Sequence, residues 1–130
     1  MSAQGTPAVR VVVADDHERY RDGIVRTLRA AGMVVVGAGR DGDEALALIR
    51  EHRPDVALLD VVMPGMGGLE VAVALARDGP PIPVVMLSGF DEERLVAAAH
   101  EAGAIAFVSK RADREVIVSA VSAAATGSSP

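Results

Sequence analysis

Residues 55–68 read DVALLDVVMPGMGG. Val56, Ala57, Leu58 and Leu59 run without a polar break, as a strand covered on both faces requires. Asp60 ends the run, and Met63, Pro64 and Gly65 turn the chain. Taken alone, Asp60 reads as a strand terminator. It also reads as a reactive carboxylate at the rim of a sheet. The segments on either side decide between the two.

Val9–Ala14 is a second apolar run, rich in β-branched residues, and it stops at Asp15-Asp16. Tyr20, Ile24 and Leu28 then recur at helical spacing until Gly32 closes the segment. Next come a strand over Met33–Val36 and a helix over Asp43–Glu51, the latter with Ala45, Leu48 and Ile49 on one face. Beyond the strand of residues 55–59, Leu69, Ala72, Val73 and Ala76 form a third helical stripe, which GPPIP at 79–83 breaks. A fourth strand, Val84–Leu87, ends at Ser88-Gly89, and a helix spans Glu92–Ala102. The last pair is a strand over Ala104–Val108, ending near Lys110, and a helix over Ala112–Ala125, with Ile117, Ala120, Val121 and Ala124 inward. Five β-then-α units imply an α/β fold, a parallel sheet with helices on both faces. Residues 9–125 make one domain. Residues 1–8 are expected to be a disordered extension and 126–130, TGSSP, a linker-like tail.

Composition bounds the function. The length of 130 residues suits one domain. Half the residues are apolar, yet the aromatics are only Tyr20, Phe90 and Phe107, so the core is aliphatic. Cysteine is absent, which excludes a disulfide framework and a thiolate metal site and fits a reducing cytoplasm. No apolar run approaches the roughly 18 residues of a membrane span. The opening MSAQGTPA is not a signal peptide. A net charge of −5 argues against nucleic-acid binding by this chain itself.

The strand ends carry the chemistry. Strand one delivers Asp15 and Asp16, strand three Asp60, strand four Ser88, and strand five Ser109 and Lys110. In a parallel sheet these positions share one edge, where ligands bind. Three carboxylates in one crevice call for a hard cation, and few protein ligands with room for water favour Mg²⁺. Such an ion would draw a phosphoryl oxygen toward Asp60. Lys110 would supply a second positive charge and little packing, and Ser88 a hydroxyl donor. Asp60 is then placed to form an aspartyl phosphate.

This set resembles the receiver domain of two-component response regulators, over about residues 9–125. The residues that carry the likeness are Asp15-Asp16, Asp60 with Met63-Pro64-Gly65, Ser88-Gly89, Phe107 and Lys110. DDHERYRDGIVRTL and GAIAFVSKRADREVI are most similar to the NarL/LuxR type. The resemblance implies the CheY-like, flavodoxin-like arrangement with strand order 2-1-3-4-5. It implies a phosphorylation-dependent switch, not an enzyme in the usual sense, that promotes its own phosphorylation and dephosphorylation. The donor would be a sensor histidine kinase. Asp16, Asp60 and the Val62 backbone carbonyl would ligate Mg²⁺, with Asp15 acting through water. Ser88 and Phe107 would be the switch pair, and phosphorylation could drive homodimerisation. DNA would be reached only through an output domain outside this chain. Val62 and Phe90, two places after the phosphoacceptor and the switch hydroxyl, would govern phosphate lifetime. Arg111 stands where many receivers have Pro after the Lys.

Each residue has a plainer reading. Asp15-Asp16 alone could cap a helix, Lys110 could be a solvated lysine and Phe107 plain core. His17 reads as a solvent-facing helix-start residue, and Arg19, Arg21, Arg26 and Arg29 as a solvated face. The joint placement of the acidic, hydroxyl and ammonium groups at four strand ends favours the phosphoacceptor. No GxxxxGK[ST] is present, the place after the first strand where a dinucleotide-binding domain would carry GxGxxG holds DDHERYR, and Val62 stands where a haloacid-dehalogenase-type phosphatase would carry its second Asp. The rival reading is a phosphorylation-independent interaction and dimerisation module.

Overall fold

The strand that carries Asp60 lies at the centre of the sheet. The computed structural model describes residues 7–89 and 93–127. Five strands are present among them: β1 (Arg10–Ala14), β2 (Val34–Gly39), β3 (Val56–Asp60), β4 (Val84–Ser88) and β5 (Ala106–Ser109). They alternate with α1 (Glu18–Ala30), α2 (Gly42–His52), α3 (Gly68–Arg77), α4 (Glu93–Glu101) and α5 (Arg114–Thr126). The sheet order is β2-β1-β3-β4-β5, and all its pairings are parallel. This is the flavodoxin-like order that the resemblance implied.

Every residue of β3 and of β4 is buried, because both sheet faces are covered. Side chains still alternate, so each strand feeds two cores. Val11, Val13, Val56, Leu58, Val85 and Leu87 pack with Ile24 and Leu28 of α1 and Ile117 and Val121 of α5. Val12, Ala14, Ala57, Leu59 and Met86 face the other way, onto Ala45 and Ile49 of α2, Val71 and Leu75 of α3, and Ala99 of α4.

Several boundaries differ from the sequence expectation: β5 starts at Ala106 and not Ala104, α5 runs Arg114–Thr126, so Thr126 belongs to the helix and not to the tail, and two further shifts have a clear local cause. β2 does not stop at Val36 but runs to Gly39, with a register shift opposite Val11/Val12. Gly37 keeps the strand open to its neighbour: a Cβ there would stand 2.9 Å from Leu48 Cδ2. α2 starts at Gly42 because Asp41 caps it, accepting from Glu44 N at 2.8 Å, while Glu44 accepts from Arg40 N at 2.9 Å. The expectations for residues 1–6 and 128–130, the start of the fourth helix at Glu92, and the role of Phe90 fall outside the described residues.

Candidate functional site

The carboxyl ends of β1, β3, β4 and β5 bring the expected residues to one edge. β3 ends on Asp60, 4 % exposed, and β1 leads directly into the fully buried Asp15. Lys110, just past β5, bridges them: its Nζ donates to Asp60 Oδ2 at 2.9 Å and lies 2.7 Å from Asp15 Oδ2. Lys110 is held there from the backbone as well, since its N–H donates to the Ser88 carbonyl at 2.9 Å. Its side chain is only 13 % exposed. This corrects the expectation that Lys110 contributes charge and little packing.

The local hydrogen bonds explain why the carboxylates point inward. Asp15 Oδ1 accepts from His17 N at 2.8 Å, and Asp60 Oδ1 accepts from Val62 N at 3.2 Å. In both cases the side chain folds onto the backbone two residues ahead, the Asx-turn habit. Arg111 N likewise donates to Ser109 Oγ at 3.1 Å, a bond that a proline at 111 would not make. At the foot of α3, Gly68 N donates to Val61 O, and a Cβ on Gly68 would collide with the Asp60 carbonyl. The glycine therefore lets α3 start directly beneath the Asp60 backbone.

Asp15, Asp16, His17 and Asp60 bring ligand atoms within 4.8 Å of one another. Three carboxylates face a single ammonium. Asp15 Oδ2 has the Lys110 ammonium 2.7 Å away as its ion-pair partner and accepts no hydrogen bond from the described residues. A surplus of negative oxygen with one buried oxygen underused suits a hard dication. Burial pushes the Asp60 carboxyl above its ordinary range; the Lys110 hydrogen bond opposes this, and the Asp15 charge adds to it. Burial pulls Lys110 down, but its contacts with Asp15 and Asp60 outweigh that and hold the ammonium above its ordinary value.

The remaining expected residues divide. Asp16 and Val62 line a cavity of about 610 Å³ with Asp60, Gly89 and Lys110. The Val62 side chain is 55 % exposed. Ser88 is buried at the end of β4, level with Ser109. Phe107 lies apart from this cavity. It is half-buried on β5 beside Met86 and lines a groove against α4 with Val96, His100 and Ile105.

Three residues of the site were not expected from the sequence. His17 is 70 % exposed, yet its Nδ1 is 3.4 Å from both Asp15 and Asp16 and 3.5 Å from Lys110 Nζ. Arg21 donates to the Asp15 carbonyl at 2.9 Å. Tyr20 donates to the Lys110 carbonyl at 3.3 Å, and its ring centroid is 4.8 Å from Lys110 Nζ. Burial raises the Tyr20 phenol above its ordinary value, with Arg114 and Lys110 opposing.

Comparison with known proteins places this geometry. The response regulator receiver domain matches residues 11–122. The chain belongs to that family. As a receiver, it is 47 % identical over 128 residues to the probable transcriptional regulatory protein NarL of Mycobacterium tuberculosis, covering 98 % of this chain and 59 % of NarL. It is 41 % identical over 114 residues to the response regulator GacA of Pseudomonas aeruginosa, covering 87 % of this chain and 53 % of GacA. The solved signal receiver domain of the M. tuberculosis NarL superposes with a TM-score of 0.90 at 47 % identity, covering 94 % of this chain and 99 % of that one. The receiver thus spans a little over half the length of these curated relatives. It is most similar to receivers of the NarL type, and receivers of this family are phosphorylation-dependent switch domains of two-component signalling. The family is not one of catalytic enzymes, and its members bind Mg²⁺ at an acidic pocket. Among the described residues, no helix is long and apolar enough to cross a membrane.

Proposed function

We propose that Asp60 is the phosphoacceptor of this receiver and that residues 9–125 form the switching unit. The observation that carries this is the buried Asp60 carboxylate at the end of β3, 2.9 Å from Lys110 Nζ and inside the acidic cluster. Asp16, Asp60 and the Val62 carbonyl would hold Mg²⁺, with Asp15 acting through water. The bound ion would offset charge on the phosphoryl oxygens. The donor is a phosphohistidine of a sensor histidine kinase. An Asp60 oxygen attacks phosphorus, the N–P bond breaks, and the imidazole leaves with a proton. Asp15 holds Lys110 in place, and Lys110 turns its ammonium from Asp60 Oδ2 to a phosphoryl oxygen. Water later cleaves the acyl phosphate, so the same site limits its own signal.

Ser88 and Phe107 form the switch pair. Ser88 moves toward the phosphoryl group, and Phe107 turns in from its groove against α4. Phosphate shifts the balance between two states by binding one of them better. In a longer protein built like the relatives, the output would be transcription, through a DNA-binding domain outside this chain and with a homodimer formed on phosphorylation. The site itself operates in a cytoplasmic compartment, where kinase and nucleotide pools meet.

The test is beryllofluoride binding with Mg²⁺, read by amide NMR. Large shifts at Asp60, Ser88 and Phe107 in the parent, and none in Asp60→Asn, are expected. Absence of binding by the folded parent would leave a phosphorylation-independent interaction module.

A further inference from the structure

We propose that Tyr20 is a positioning residue for phosphoryl transfer, its ring holding the Lys110 ammonium over Asp60. The proposal rests on the reading of Asp60 as phosphoacceptor. One side chain touches both ends of Lys110. The Tyr20 ring centroid is 4.8 Å from Nζ, and the Tyr20 hydroxyl donates to the Lys110 carbonyl at 3.3 Å. An ammonium within about 6 Å of an aromatic centroid is attracted by the ring quadrupole, more so where water is partly excluded. Here the ammonium is largely buried.

Two features give the contact a role beyond packing. Lysine is a flexible stem with a point charge, so its usefulness at a transferring phosphoryl group depends on what restricts it. Asp15 and Asp60 restrict Nζ from one side, but the Asp60 contact is the one that must be given up when Asp60 takes the phosphoryl group. The ring is a second support that does not change in that step. The ring itself is braced. Arg114, the first residue of α5, places Cζ 5.4 Å from the same centroid, and its Nη1 donates to Thr27 of α1 at 3.1 Å. Tyr20 also lines the cavity beside Asp60. Losing the ring frees Lys110 to sample positions away from the acceptor. The expected loss in phosphoryl-transfer rate is about fivefold, the scale of one partly desolvated cation–π contact.

Lys110 is the only lysine in the sequence, which makes the experiment direct. Protein labelled with ¹³C-lysine gives one ε-methylene signal, from Lys110. In the folded parent that signal is expected upfield of an unstructured lysine, from the ring current of Tyr20. Tyr20→Phe should keep the shift and react with phosphoramidate and Mg²⁺ within about twofold of the parent rate. Tyr20→Leu should lose the shift and react about fivefold slower, with Mg²⁺ affinity undiminished. Asp60→Asn is run alongside, read by intact mass. An unshifted lysine signal in the folded parent would overturn the proposal without any variant. So would a Tyr20→Leu protein that reacts at the parent rate, or a Tyr20→Phe protein that loses as much as Tyr20→Leu. If Asp60→Asn gains phosphate like the parent, it is the reading of Asp60 that fails, and the two failures are told apart.

Discussion

Lys110 answers to two buried carboxylates, and this shapes what its removal should do. Asp15 and Asp60 would be left in a poorly solvated edge with no counter-charge. Breaking a buried pair by deleting one partner costs on the order of 3 kcal/mol. Lys110→Ala is therefore expected to melt several degrees below the parent without Mg²⁺, and to gain more from Mg²⁺ than the parent does; scanning calorimetry with and without the ion reads both. Equal melting temperatures would show that the lysine does not balance the carboxylates. Asp15 and Asp16 should also separate. Asp16 borders the cavity, whereas Asp15 is committed to Lys110 and to His17 N. Asp16→Asn is expected to weaken Mg²⁺ binding at least tenfold, and more than Asp15→Asn does, as measured by titration calorimetry. Val62 borders the same cavity with an apolar side chain and cannot orient an attacking water. Val62→Asn should shorten the acyl-phosphate lifetime severalfold in a phosphate-release time course while Mg²⁺ affinity holds.

At the scale of elements, the turn from β3 into α3 depends on a close approach of backbones. Gly68 has the Asp60 carbonyl and Met86 Sδ where a Cβ would go. Gly68→Ala must push α3 away from the strand that carries the acceptor. A loss of about 1–3 kcal/mol in a denaturant melt is expected, with slower phosphorylation of the protein that stays folded. Most elements were legible because their signals are local. β3 is an unbroken apolar run, and the helices carry apolar residues at helical spacing, although α3 buries Val71, Ala72 and Leu75 and leaves the expected Val73 and Ala76 exposed. β2 runs on past Val36 through Gly37 to Gly39, and the packing of Leu48 against Gly37 is a tertiary contact that the local sequence does not show. The metal and acceptor carboxylates were legible because parallel strands send their ends to one edge. Tyr20 was not, because its partner Lys110 is 90 positions away. Its four-residue spacing with Ile24 and Leu28 describes the core-facing side of α1 and says nothing of the lysine. His17 was set aside for its exposure, yet an exposed imidazole still reaches both neighbouring carboxylates through a local turn.

Across the whole molecule, an acidic chain concentrates part of its charge in one strained pocket, and stability should report it. The folded Asp60 carboxyl binds its proton more tightly than an unfolded Asp does. The stability linked to that proton is present below about pH 3.8 and is lost as pH rises through the folded value. Asp60→Asn should flatten this part of the stability-against-pH curve and melt higher than the metal-free parent at neutral pH. Mg²⁺ should narrow the gap by stabilising the parent alone. Urea melts across the acidic range would reveal an unchanged slope if Asp60 were not strained. The whole scheme turns on which atom takes the phosphoryl group. Intact-mass spectrometry of the parent and of Asp60→Asn, each treated with phosphoramidate and Mg²⁺, measures that directly. One phosphoryl group on the parent, removed by chelating Mg²⁺ before the donor is added, and none on Asp60→Asn is the expected result. Phosphate on Asp60→Asn at the parent level would contradict it.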